Sequence, residues 1–165
     1  MRGAVLSMLL AVSWGGFAKA DDIMMTGAKA EKIKTEIIEL NNEKYKSLLN
    51  GGPAAADFVD RHEVDSILYL GGNLRTNMSK AQVVNEWKTG VRKMSSENVH
   101  DQRVRVYDNG NIAVLDYIVD NTPKYHDEEL KLRQSHVLEV YVKHDGVWRT
   151  VVHDSFPVAP EKKLE

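Results

Sequence analysis

Two short turns organise the second half of this chain. Asp108-Asn109-Gly110 and His144-Asp145-Gly146 each stand between two long runs in which apolar and polar residues alternate. Aspartate, asparagine and glycine accept the left-handed backbone of a tight reversal, so each turn predicts a hairpin. The expected strands cover residues 99–107 and 112–121, then 130–143 and 147–157. Residues 122–128, with Pro123, form a longer loop between the hairpins.

The first half carries a different period. Across residues 29–50, Ile33, Ile37, Leu40, Tyr45 and Leu48 fall on one side of a helix. Asn50-Gly51-Gly52 ends it, since glycine takes up the left-handed geometry of a helix terminus. Pro53 suits the first turn of a second, short helix reaching about Arg61. Ile67-Leu68-Tyr69-Leu70 reads as a strand closed by Gly71-Gly72-Asn73. Ser79 with Gln82 three residues later is a capping box, and it opens a further helix with Val83, Val84, Trp87, Val91 and Met94 as its apolar stripe. Helices followed by a mostly antiparallel sheet make an α+β domain. A sheet with helices on one face leaves its other face to water or to a partner.

The chain has 165 residues, enough for one domain with a real core. Residues 1–20 are read separately. Arg2 supplies a positive start, Ala4 to Val12 a short apolar run, and Ala18-Lys19-Ala20 a small-x-small cleavage site. These are the three parts of a secretory signal peptide, with cleavage expected before Asp21. The run is shorter than the roughly 20 residues that span a bilayer. A periplasmic or secreted protein is expected. Residues 21–28 form a leader, 29–158 the domain and 159–165 a tail. Cleavage removes the positive charges of Arg2 and Lys19 and takes the formal charge from −2 to −4. A mildly acidic domain offers nucleic acid no electrostatic footprint, and no basic amphipathic stretch suits a membrane surface. With no cysteine, disulfides and thiol chemistry are excluded, and the core alone must hold the exported domain. The six histidines show no close metal-ligand spacing, and no phosphate-cradling glycine loop or nucleophile elbow occurs, so no metal and no cofactor are expected.

Register in the last hairpin decides which residues share a face. If His144-Asp145-Gly146 carries a glycine bulge, Lys143 pairs with Val147. One face then gathers Leu132, Gln134, His136, Leu138, Val140 and Val142 with Trp148, Thr150, Val152, Asp154 and Phe156. A two-residue loop pairing His144 with Val147 mixes polar and apolar residues on both faces. The bulged register is therefore preferred. It sets His136 across from Asp154 among apolar neighbours. That pair either satisfies its own hydrogen bonds in a core or dimer interface, or, in an enzyme, is a carboxylate-held imidazole suited to general-base work. The other face carries Arg133, Ser135, Glu139, Tyr141, Arg149, His153 and Ser155. It is either a solvated strand face or, through Arg133, Glu139, His153 and Ser155, part of a ligand site. Tyr45, Tyr69, Trp87 and Tyr117 are core aromatics or pocket walls.

The long helix, short helix and strand are followed by "MSKAQVVNEWKTGV", "VRVYDNGNIAVLDYIV" and "HVLEVYVKHDGVWRTVVHDSFPV". This layout resembles the nuclear transport factor 2-like superfamily, and within it the SnoaL-like polyketide cyclase and ketosteroid isomerase-like proteins. The Asp145-Gly146-Val147-Trp148 ending is also similar to that of the kinase II association domain. The resemblance spans residues 29–158. It implies a curved sheet wrapped around the helices into a cone, a pocket between them and a homodimer through a sheet face. Three functions are open. One is binding of a small, partly apolar molecule in the cone. Another is an isomerase, dehydratase or cyclase using a His or Asp base, with His136 and Asp154 as first candidates. The third is an oligomerisation scaffold without ligand.

Overall fold

The computed structural model describes residues 24–71, 78–126, 128, 129 and 133–158. The signal-peptide reading of residues 1–20, residues 21–23 of the leader, the turn at Gly72-Asn73 and the tail lie outside the described residues. Helix α1 (Ala28–Asn50) buries Ala30, Ile33, Ile37, Asn41, Lys44, Tyr45 and Leu48, a spacing of three and four that lines one face. That face is not wholly apolar, and its two polar members matter below. Gly51 (φ 64) ends α1 with its N–H on the carbonyls of Ser47 and Leu48. Helix α2 (Gly52–His62), with proline in its first turn, runs straight into strand β1 (Glu63–Gly71).

Helix α3 (Lys80–Lys88) has the expected capping box, with Ser79 and Gln82 bonded reciprocally. It is shorter than its apolar stripe suggested. Thr89 and Gly90 (φ 73) end it, and Met94 belongs to the next strand. Strands β2 (Arg92–Tyr107) and β3 (Ile112–Tyr125) flank a 3-10 turn at Asp108–Gly110. Gly110 (φ 95) lies so close to α1 that a Cβ there would come within 2.7 Å of Ile33 Cδ1. A short β4 (Glu128–Glu129) pairs with the end of β3, and β5 (Arg133–His144) and β6 (Val147–Pro157) complete the sheet. The order is β1-β6-β5-β3-β2, with β1 parallel to β6 and the other pairs antiparallel. The sheet is open, with β1 and β2 at its edges, and the helices cover one face.

Two expectations are corrected. Residues 122–125 are strand, not loop, and β2 begins at Arg92 rather than Val99. Pro123 pairs with Met94 next to a register shift between Met94 and Ser96. At a bulge its missing N–H breaks no ladder bond. The second correction concerns the last hairpin. His144 pairs with Val147 and Lys143 with Trp148, so Asp145 (φ 50) and Gly146 (φ 78) form a two-residue loop. A shift between Val140 and Tyr141 then leaves Val151 as a bulge, after which Val140 pairs with Val152. The bulge lets Trp148 and Thr150 face the core near the turn while His153 and Ser155 face inward farther on. The mixed faces that argued against this register are thereby resolved within a single strand. Leu68, Leu70, Val152, Asp154 and Phe156 lie on the outer face, where Leu68, Leu70 and Phe156 are exposed.

Candidate functional site

Between the helices and the inner face of the sheet lies a cavity of about 420 Å³. Leu48 of α1, Val59 of α2, Trp87 of α3, Met94 of β2, Val119 of β3 and Val137 of β5 supply its apolar wall. Its polar side comes from Lys44, Glu63, Ser135, Glu139, His153 and Ser155. The volume falls in the range of small-molecule sites, which are mostly apolar with a few placed polar groups.

Glu139 is the centre of the polar side. It is fully enclosed, with only 2% of its surface exposed. Lys44 Nζ donates to Glu139 Oε2 at 2.7 Å and to the Tyr117 hydroxyl at 2.9 Å. The Tyr141 hydroxyl donates to the same Oε2 at 2.5 Å, and His153 Nδ1 stands 2.7 Å from Oε1. The hydroxyls of Tyr45 and Tyr117 are 3.0 Å apart, so the network continues onto α1. Burial drives the Glu139 carboxyl upward. The Lys44 charge and the hydrogen bonds from His153 and Lys44 outweigh it and hold the group well below the usual carboxylate range. Burial first, then the Glu139 charge, raises the Tyr117 and Tyr141 phenols well above theirs, so both remain hydroxyl donors. An ionised carboxylate only accepts. The proton between Glu139 and His153 therefore sits on Nδ1, and Nε2 makes no hydrogen bond among the described residues.

On β1, the Tyr69 hydroxyl donates to Glu63, and the Tyr69 ring meets the His153 ring edge-on at 5.8 Å between centroids. At the mouth, Arg92 donates through Nε and Nη2 to Glu86 Oε2 at 3.0 and 2.7 Å. Glu97 of β2 has a half-buried carboxyl raised by burial, and its Oε2 has no partner among the described residues.

Of the residues singled out in the sequence, Tyr45, Trp87, Glu139, His153 and Ser155 border the cavity. Tyr117 lies beneath it, and Tyr69 supports it through Glu63 and His153. The side chain of Arg133 lies outside the described residues. His136 and Asp154 are not brought together. His136 pairs with Phe156 and Asp154 with Leu138, because the register from the turn and the bulge together moves the pairing two residues from the one expected. Both lie on the outer face, away from the cavity. His136 is half exposed with Asp116 3.9 Å away, and Asp154 Oδ1 has no hydrogen-bond partner among the described residues. Sequence reading missed Lys44, Glu63 and Arg92. For Lys44 a signal existed: it lies at helical spacing from Ile37, Leu40 and Leu48, a lysine inside an apolar stripe. Among the described residues no group of three His, Cys, Asp or Glu could hold a metal ion, and no helix is long and apolar enough to cross a membrane.

No protein-family model and no curated protein matches the sequence. Solved structures do match the fold. A nuclear transport factor 2-like protein from Cytophaga hutchinsonii superposes with a TM-score of 0.64 at 13% identity, over 76% of this chain and 98% of its own. A candidate ketosteroid isomerase from Parabacteroides distasonis gives 0.56 at 24% identity, over 83% and 96%. A candidate calcium/calmodulin-dependent kinase II association domain from Exiguobacterium sibiricum gives 0.63 at 14%, over 83% and 99%. The chain has the nuclear transport factor 2-like fold. In this nuclear transport factor 2-like cone the helices fill the inside of the curved sheet, and the cavity with Glu139 and His153 opens between them. These likenesses are of fold, and one fold hosts many chemistries.

Proposed function

We propose that this protein binds a small, partly apolar molecule in the cone. The observation that carries the reading is the cavity itself, about 420 Å³ with an apolar wall around the buried Lys44–Glu139–His153 group. Building such a group inside a core is costly, and a ligand that meets its polar side gives that cost a use. Native mass spectrometry of protein purified from its own host tests this. A reproducible added mass, lost when Val137→Trp fills the cavity, is expected; identical occupancy in the filled variant would overturn the reading.

The protein works as an exported homodimer in this proposal. Export rests on the three-part pattern in residues 1–20. Dimerisation through the outer sheet face is supported by exposed Leu68, Leu70 and Phe156. A two-fold interface sets a patch against itself, so these exposed side chains of one copy would meet the same side chains of the other.

A further inference from the structure

Of the charged side chains that line the cavity, Lys44 is paired with Glu139 and Arg92 with Glu86, which lies outside the lining, and Lys93 and Glu63 add one of each sign. The groups around His153 are locked in their protonation states by geometry. Glu139 on β5 has both oxygens engaged by Lys44, Tyr141 and His153. Tyr117 and Tyr141 are enclosed phenols, and Tyr69 on β1, the ring nearest His153, spends its hydroxyl on Glu63. From β2, the Arg92 and Lys93 side chains stand at the wall. His153 is the imidazole of this set, the side chain that can hold a proton on either ring nitrogen or on both. Its Nδ1 is held by Glu139, and its Nε2 has no partner among the described residues.

We propose that the cavity takes a small organic acid, an apolar body carrying one carboxylate, and that binding brings a proton onto His153 Nε2. This deepens the binding reading above and rests on it. A carboxylate entering an apolar cavity unmatched would carry a large desolvation cost. With the proton taken from solvent, the imidazolium donates through Nδ1 to Glu139 and through Nε2 to the ligand. Each charge is then paired and hydrogen-bonded. A neutral amide of the same shape draws no proton.

Isothermal titration with 4-phenylbutyrate and 4-phenylbutanamide, at pH 8 in two buffers of different ionisation enthalpy, tests this. The acid is expected to bind about ten-fold or more tighter than the amide, with an uptake approaching one proton. That uptake should vanish in His153→Gln and persist in His136→Gln, a histidine on the outer face. If His153→Gln does not fold, histidine labelled with nitrogen-15 gives the same readout in the unaltered protein, as a move of the His153 Nε2 signal into the protonated range on adding the acid. An amide that binds as well as the acid, an acid bound without proton uptake, or uptake that survives in His153→Gln would overturn the proposal while leaving the binding reading intact. Neither compound binding would overturn both.

Discussion

Lys44 of the first helix and Glu139 of the fifth strand meet at 2.7 Å across 95 residues of chain. Their side chains are only 11% and 2% exposed. The pair thus ties the long helix to the middle of the sheet from inside the core. Removing one partner leaves the other charge buried. Lys44→Met is expected to lose roughly 3–5 kcal/mol of stability. Adding Glu139→Gln to it should cost less than the two single changes together, because the stranded charge disappears. Urea unfolding of the three variants checks both statements.

The same carboxylate sets an acid limit. Its folded pKa is depressed below the ordinary 4.5, so the unfolded chain binds the proton more readily. The stability it contributes is fully present above the unfolded pKa and is lost as pH falls below that value and on through the folded one. His62, whose pKa is lowered chiefly by burial, acts in the same sense but from higher pH, starting below its ordinary 6.5. Melting temperatures measured from pH 7 down to pH 3 should therefore fall in two stages. Glu139→Gln should flatten the lower stage and leave the upper one.

The turn at Gly110 is expected to tolerate no side chain. Its φ of 95 is unfavourable for other residues, and a Cβ would collide with Ile33, itself buried in α1. Gly110→Ala should lose about 1–3 kcal/mol from overpacking and backbone strain together. Asp145→Ala at the other hairpin, where the side chain is exposed, provides the comparison. Thermal melts of the two variants separate close approach from turn chemistry.

The outer sheet face is expected to hold two subunits together. Leu68→Asp combined with Phe156→Asp should convert a dimer into a folded monomer, since both residues are exposed in the single chain. Light scattering during size-exclusion chromatography reads the mass. A monomer before mutation would remove the dimer from the proposed function without touching the cavity.

Much of the fold was legible because it rests on local rules. The capping box at Ser79, the glycine stop at Gly51 and the two hairpins all follow from near neighbours. What was not legible depends on bulges. A regular β6 paired from Lys143 and Val147 would have set His136 across from Asp154; one extra residue at Val151, with the tighter turn, moves Asp154 away from His136. Bulges carry little local signature, since Val151 differs in no obvious way from Val152. The cavity suffered similarly. Glu139 and His153 looked like a solvated face because each is polar, and only their pairing across β5 and β6, with Lys44 arriving from α1, explains their burial. Lys44 alone of the three carried a local sign of burial, its place inside the apolar stripe of α1.

The bulges of β2 bear on how the protein survives its own concentration. This strand is a long sheet edge, and a straight edge of that length would offer its free amides and carbonyls to any passing strand. The chain breaks that template twice, between Met94 and Ser96 and between His100 and Arg103, where Asp101 takes a positive φ of 56. Charged side chains at Lys93, Asp101, Arg103 and Arg105 stand exposed along the strand. Along β2, neighbouring copies therefore find no continuous ladder to extend.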